Sequence, residues 1–126
     1  MSLVLEFLPE SGAELECVTG DYEAHARGLG VRFRHEIETI CAAILQHPLL
    51  WRLRSRGYRR VNLPGFPYYV AYIVEEQRII VVAVAHASRR PGYFRVVFHS
   101  RREQRRGYRT LHHIGEFQLN PEDRLR

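Results

Sequence analysis

Lysine is absent from this 126-residue chain, so arginine alone carries its side-chain positive charge apart from histidine. The sequence has 19 arginines against 14 acidic residues, a formal net charge of +5. Arginine suits bidentate capture of carboxylates and phosphates, which is one interpretation of this composition. A genomic composition bias is the other, and it is the one we favour.

Cysteine is scarce and long apolar runs are missing. Cys17 and Cys41 lie 24 positions apart without paired spacing, which predicts two small buried residues in a reducing compartment. The longest apolar run, residues 79–85, is far shorter than the ~20 residues that span a bilayer. No apolar segment follows a basic N-terminus as in a signal peptide. We therefore expect a soluble, cytoplasmic protein without a membrane segment.

Several chemical signatures are also missing. The seven histidines show no metal-ligand spacing with acidic or cysteine partners. The sequence contains no glycine-rich phosphate loop and no internal repeat. We therefore predict neither a metal site nor a cofactor.

The chain does have enough apolar material for a core and an uneven distribution of charge. It is 45% hydrophobic, which at this length predicts a single core without help from metals or disulfides. Residues 1–50 hold eight acidic residues and three arginines, whereas residues 51–126 hold six acidic residues and sixteen arginines. The basic half could face nucleic acid or an acidic protein segment, and composition leaves both open.

Two helices are predicted after a short first strand. Residues 3–8 are apolar and bounded by Pro9, which suits the first position of a helix. That helix is predicted to end at Gly28 and Gly30, and a second one to end at Pro48. The apolar stripe of the first helix is predicted to be Ala13, Cys17, Val18, Tyr22 and Ala26; that of the second, Val31, Phe33, Ile37, Ile40, Cys41, Ile44 and Leu45.

Three strands are predicted in the second half, at residues 58–63, 67–74 and 78–85. The last is apolar on both faces, which predicts a central strand. Within the middle strand, Tyr68 and Tyr72 should share one face and Tyr69 the other. The order of elements predicts an α+β fold, with an N-terminal strand and an α-helical hairpin packed on one face of a mostly antiparallel sheet.

Several short runs are distinctive, among them Phe66-Pro67-Tyr68, the run from Val82 to His86, and Arg89-Arg90-Pro91-Gly92-Tyr93. In this order they resemble the RelE/ParE family of toxins from type II toxin–antitoxin systems. The resemblance covers residues 3 to about 97. It implies a toxin domain at residues 1–97. Residues 98–126 are not covered by it, and their arginine-rich composition predicts a basic, partly ordered C-terminal extension. This extension could be a solvated tail or an arm for a polyanion.

The resemblance also implies partners. A cognate antitoxin protein would hold the toxin inactive, with a toxin–antitoxin hetero-oligomer as a further expectation. RelE-like toxins cut messenger RNA on the ribosome, whereas ParE-like plasmid-stabilisation toxins poison DNA gyrase.

The candidate site follows the last strand. RNA cleavage needs a base, an acid and cations; His86 could be acid or base, Arg89 and Arg90 a charge clamp, and Tyr93 a proton donor or stacking ring. By resemblance, Arg89 and Tyr93 lie where RelE-like enzymes keep an Arg and a Tyr. Under this hypothesis the catalytic residues are His86, Arg89 and Tyr93. The residues predicted to bind target or antitoxin are Arg59, Arg60, Arg89, Arg90 and Tyr93. Each of these residues could also have a purely structural role; Arg89 and Arg90, for example, could belong to a solvated turn.

One departure from the RelE pattern decides the preferred function. RelE-like enzymes have a basic residue at the start of the middle strand, where this chain has Phe66-Pro67-Tyr68. We therefore expect a ParE-like toxin that inhibits gyrase by binding. The alternatives are a RelE-like, ribosome-dependent and metal-independent endoribonuclease, or a non-toxic remnant that only binds antitoxin.

Overall fold

The computed structural model describes residues 3–89. It contains four strands and two helices, in the order β1 (Val4–Phe7), α1 (Pro9–His25), α2 (Leu29–Gln46), β2 (Arg59–Asn62), β3 (Tyr68–Val74) and β4 (Arg78–His86). This order of elements confirms the predicted α+β class. Residues 98–126, predicted to form a separate extension, lie outside the described residues.

The four strands form one mixed sheet in the order β1-β4-β3-β2. β1 runs parallel to β4, while the β4–β3 and β3–β2 pairs are antiparallel. The predicted central position of the last strand is therefore confirmed. Residues 79–85 of β4 are all buried, because this strand has a neighbour on each edge and apolar side chains on both faces.

A β-bulge interrupts the pairing of β3 with β4. Ala71 pairs with Ala83 and Tyr72 pairs with Val81, which leaves Val82 as an extra residue on β4. The extra residue reverses the alternation of side chains along β4. Val81 and Val84 consequently contribute to the same core cluster although their sequence positions have opposite parity.

Two clusters of buried side chains lie on the two faces of the sheet. The larger one joins the helical hairpin to the sheet, and Phe33, Ile37, Val70 and Tyr72 are fully buried within it. The other, on the face away from the helices, consists of Leu8, Tyr58, Tyr69, Ala71, Ile73, Ile80, Val82, Ala83 and Ala85. Tyr72 and Tyr69 therefore lie on opposite faces, as their alternation predicts.

The inner face of α1 differs from the predicted one. Ser11 and Leu15 are buried, with Val18 and Tyr22 packed against the core, whereas Ala13 and Cys17 are exposed. Ala13 and Cys17 lie two positions from Ser11 and Leu15, roughly 200° around the helix. The prediction that Cys17 is buried was wrong, while Cys41 is buried as predicted.

Hydrogen bonds in the first turn of α1 explain which face of this helix is buried. The Ser11 hydroxyl lies 2.7 Å from the Val81 carbonyl oxygen and 3.0 Å from that of Leu8. The Val81 carbonyl also accepts the Leu8 N–H at 3.1 Å. These bonds turn Ser11 toward β4 at the place where β1 ends, and the rest of the helix follows.

Val31 is a second correction. The sequence pattern predicts Val31 in the apolar stripe of α2, but 69% of its surface is exposed. The buried stripe of α2 begins at Gly30 and Phe33 and continues through Ile37, Cys41 and Ile44. Val31 stands two positions before Phe33, so it points away from the sheet.

The turn between the helices is fixed by Glu23. Its carboxylate accepts the N–H of Gly28 at 2.9 Å and that of Gly30 at 3.1 Å. Gly28 has a φ of 86°, in the left-handed region that glycine enters without strain. Glu23 therefore satisfies two donors at the start of α2 and joins the two helices into the predicted hairpin.

Candidate functional site

Two of the predicted site residues, His86 and Arg89, lie together at one end of the β3–β4 strand pair. His86, the last residue of β4, pairs with Tyr68, the first residue of β3. The chain then turns, with the Ala87 N–H bonded to the Pro67 carbonyl at 2.8 Å and the Arg89 N–H bonded to the His86 carbonyl at 3.0 Å. Because of the bulge, His86 lies on the helix side of the sheet, where it meets Tyr68.

The ring of His86 is held by its neighbours. Its Nδ1 accepts the backbone N–H of Ser88 at 3.1 Å and lies 2.7 Å from the Ser88 hydroxyl oxygen. Since Nδ1 accepts a hydrogen bond, the neutral ring carries its proton on Nε2. The ring also stands edge-on to Tyr68, with centroids 5.2 Å apart. Within residues 3–89, Nε2 is therefore the ring nitrogen of His86 that can contact another molecule.

Tyr68 belongs to an aromatic cluster that joins the helices to this end of the sheet. Its ring lies 5.4 Å from that of Phe33 and 6.1 Å from that of Tyr22. Phe66 completes the cluster, 5.1 Å from Phe33 and 4.9 Å from Tyr22. Edge-to-face pairs of this kind each contribute about 0.5–1.5 kcal/mol beyond burial. The aromatic side chains at the start of β3 therefore stabilise the contact between the sheet and the helices.

Arg89 lies near the same end of the sheet, close enough for its charge to affect the pKa of Tyr68. Burial raises the pKa of Tyr68, and nearby Tyr22, Asp21 and Cys17 raise it further, while the Arg89 guanidinium lowers it. The Tyr68 hydroxyl is therefore neutral at physiological pH and can donate a hydrogen bond. Arg89 itself is exposed, so its guanidinium can reach a carboxylate or a phosphate on another molecule.

Arg59 and Arg60 occupy a different part of the molecule. The Arg59 Nε donates to the Trp51 carbonyl at 2.8 Å. The Arg60 guanidinium lies 4.1 Å from the centre of the Tyr69 ring, and its Nη2 donates to the Asn62 side chain at 3.2 Å. Arg59 points toward the helix side and Arg60 toward the opposite face, since they are successive residues of a strand.

The sheet register separates these two arginines from His86. Arg59 pairs with Tyr72, whereas His86 pairs with Tyr68. Four residues along a strand correspond to roughly 13 Å, and β2 and β4 lie on opposite sides of β3. The structure therefore brings together His86 and Arg89 but not Arg59 and Arg60. Arg90 and Tyr93, also predicted for the site, lie outside the described residues.

The chemistry available at this end is limited among the described residues. His86 offers one ring nitrogen, Tyr68 a neutral hydroxyl and Arg89 a cation. In-line RNA cleavage needs a base and a separate acid besides cations. No group of three or more potential metal ligands occurs in residues 3–89. The arrangement suits recognition of an acidic group better than proton transfer.

The segment between α2 and β2, residues 47–58, is not among the residues that the sequence analysis predicted for the site. The Tyr72 hydroxyl donates to the Pro48 carbonyl at 2.8 Å and orders the start of this segment. Burial raises the pKa of Tyr72 to about 12, although the Arg59 guanidinium acts in the opposite direction. The grouping of three leucines and three arginines within residues 49–56 was the sequence signal that could have identified it.

Comparison with known proteins places the chain in context. A model of the family described as "ParE toxin of type II toxin-antitoxin system, parDE" matches residues 14–91. A solved structure titled "Chromosomal ParDE TA system from P. aeruginosa" is similar, with 16% identity and a TM-score of 0.59. The match covers 68% of this chain and 96% of that chain. At this identity the likeness shows the fold alone. A comparison with curated proteins found no match, and no helix in residues 3–89 is long and apolar enough to cross a membrane.

Proposed function

Because this chain belongs to the ParE toxins of type II toxin–antitoxin systems, we propose that it inhibits DNA gyrase by binding and is neutralised by an antitoxin protein. Gyrase acts in the cytoplasm, which is therefore the proposed place of action. Arg89 and Arg90 are the proposed contacts with the target or the antitoxin, together with Tyr93. Recognition through such contacts moves no proton.

The observation that carries this proposal is the packing at the start of β3. RelE-like nucleases have a basic residue there, whereas Phe66 and Tyr68 of this chain form an aromatic cluster with Tyr22 and Phe33. Arg59 and Arg60, the other arginines predicted to bind a target or antitoxin, lie on the edge strand β2 and are bonded to Trp51 and Asn62. They are therefore too far from His86 to act with it on one phosphate.

A ribosome-dependent nuclease remains the second candidate because His86 and Arg89 lie at the same end of the sheet. His86 Nε2 would be the acid or base and Arg89 the cation beside the phosphate. The two functions differ in their dependence on His86. Gyrase binding does not need its proton, whereas RNA cleavage would lose roughly 10²-fold or more without it.

The test expresses the chain alone and measures plasmid supercoiling by gyrase and the integrity of ribosome-bound messenger RNA. We expect supercoiling to fail first, Arg89→Ala with Arg90→Ala to abolish the effect, and His86→Ala to change it little. The matched control is Arg27→Ala with Arg32→Ala, which removes two exposed charges from the helical hairpin. Circular dichroism verifies that all variants fold, since exposed arginines contribute little to stability.

Two outcomes would contradict the proposal. Cleavage of ribosome-bound messenger RNA that disappears in the His86→Ala variant would favour the nuclease. A chain that affects neither supercoiling nor messenger RNA, yet still binds an antitoxin, would correspond to the non-toxic remnant.

A further inference from the structure

The segment between α2 and β2, residues 47–58, exposes an unusual amount of apolar surface. We call it the α2–β2 loop. Leu49 is 66% exposed, Leu50 69% and Leu53 55%, and in residues 3–89 the other large exposed apolar residues are Val4 and Val31. A leucine side chain left in water forgoes about 1.5–3 kcal/mol of burial free energy. Apolar residues grouped in this way on a surface commonly mark an interaction site.

The α2–β2 loop is held in place by the body of the protein. The Tyr72 hydroxyl bonds to the Pro48 carbonyl at 2.8 Å, and the Arg59 side chain bonds to the Trp51 carbonyl at 2.8 Å. Trp51 itself packs against the core on the helix side of the sheet. Leu49 and Leu50 are therefore exposed on a backbone that is held in place on both sides, at Pro48 and at Trp51.

A tight turn orders the second half of the α2–β2 loop. The Arg54 N–H donates to the Tyr58 carbonyl at 2.8 Å, and the Gly57 N–H donates to the Arg54 carbonyl at 2.9 Å. Gly57 has a φ of 84°, which the turn needs and glycine allows. An ordered loop loses less conformational entropy on binding than a flexible one, so its contacts translate more fully into affinity.

Charge in and around the α2–β2 loop is entirely positive. Residues 39–74 contain no Asp or Glu, and they contain five arginines, three of them between Leu50 and Gly57. Arg52 and Arg56 are exposed, and the buried Nε of Arg54 has no hydrogen-bond partner among the described residues. The ion pairs found in the described part of the chain involve Arg34 and Arg78 instead.

We propose that the α2–β2 loop is a docking surface for an acidic amphipathic segment of the antitoxin. The inference rests on the proposed function, which supplies a protein partner. Leu49, Leu50 and Leu53 would bury the apolar side of that segment, while Arg52 and Arg56 would pair with its carboxylates. A nucleic acid fits less well, because its phosphates would pair with the arginines but leave the three exposed leucines in water.

The test uses the complex of the full chain with the small protein encoded beside it, co-expressed and purified. Leu50→Ser with Leu53→Ser should weaken the complex by roughly tenfold or more, as truncation of central apolar contacts does. The matched control is Val31→Ser, since Val31 on α2 is 69% exposed, the same fraction as Leu50. We expect that variant to bind like the wild type.

Charge reversal provides a second, independent arm. Arg52→Glu with Arg56→Glu should weaken the complex and reverse the salt dependence of association, because like charges would then face each other. Arg27→Glu with Arg32→Glu makes the same change in net charge at exposed positions of the helical hairpin. This control should have little effect. Circular dichroism melts of the free variants check that each one folds.

Each result bears on a separate part of the inference. Loop variants that bind with wild-type affinity would overturn the docking surface and leave the toxin–antitoxin function intact. No complex at all between the wild-type proteins would contradict both. Loop-dependent self-association in sedimentation experiments would assign the surface to a second copy of this chain. Loop-dependent binding to phosphatidylglycerol vesicles would assign it to a membrane; either result, with the complex unaffected, would overturn the proposal.

Discussion

Adding one methyl group at Gly30 should separate the two helices. A Cβ built at Gly30 would lie 2.5 Å from the Thr19 carbonyl oxygen and 2.9 Å from the Glu23 Cβ. The Thr19 oxygen belongs to the backbone of α1, so it cannot rotate away and the helices must move apart by most of an ångström. That movement also stretches the bonds by which Glu23 holds the N–H groups of Gly28 and Gly30.

The expected change in the free energy of unfolding has two destabilising contributions and one stabilising contribution. Overpacking of this kind costs about 1–3 kcal/mol, and weakening a hydrogen bond to a charged group costs a fraction of the ~1.5–3 kcal/mol that such a bond contributes. Replacement of glycine by alanine within a helix returns about 1 kcal/mol. We expect Gly30→Ala to lower the free energy of unfolding by about 1–3 kcal/mol. Each kcal/mol lowers the Tm of a small domain by roughly 4–8 °C.

The matched control is Gly20→Ala. Gly20 lies within α1, and a Cβ there would meet nothing within 4 Å. The free energy of unfolding of this variant should rise by about 0.5–1 kcal/mol, because the substitution only removes the conformational cost of glycine. Urea unfolding followed by circular dichroism measures both. If Gly30→Ala were as stable as Gly20→Ala, the close approach of the helices at Gly30 would be refuted.

Two further predictions concern Tyr72 and the cysteines. Tyr72→Phe should cost about 0.5–1.5 kcal/mol by removing the bond to Pro48, and hydrogen exchange at residues 49–57 should quicken; unchanged exchange would show that this bond does not order the α2–β2 loop. The pKa of Tyr72 is about 12 in the folded protein against about 10 in the unfolded chain. Its contribution is therefore fully present below pH 10 and is lost as the pH rises from 10 to 12, a loss absent from the phenylalanine variant. Iodoacetamide should label Cys17, which is exposed, but not Cys41, because burial and the nearby Glu38 raise the pKa of the Cys41 thiol. Two labels before unfolding would contradict the burial of Cys41.

The order and type of the elements could be predicted because they depend on local patterns. The unbroken apolar run of residues 79–85 predicted a strand that is buried on both faces, as is typical of the interior of a sheet. In the structure these residues are buried, and β4 lies between β1 and β3. The alternation of Tyr68, Tyr69 and Tyr72 likewise placed Tyr69 and Tyr72 on opposite faces.

The helix faces were predicted less well. In α1 the apolar residues are few, so Cys17 and Ala13 matched a helical stripe as well as Ser11 and Leu15 did. The choice was made by the hydrogen bond of Ser11 to Val81, a residue 70 positions away in the sequence. A polar residue with a partner on another element cannot be recognised as buried from the helix alone.

The α+β fold, the toxin family and the arginine-rich character of the second half could all be predicted from residue patterns along the chain. Which functional side chains meet could not, because that depends on contacts between distant segments. The extra residue Val82 reverses the alternation of β4, and so His86 lies beside Tyr68 on the helix side. The register of β2 against β3 keeps Arg59 and Arg60 away from that end. Both outcomes depend on pairing between strands, and pairing is a property of two chain segments that neither segment encodes alone.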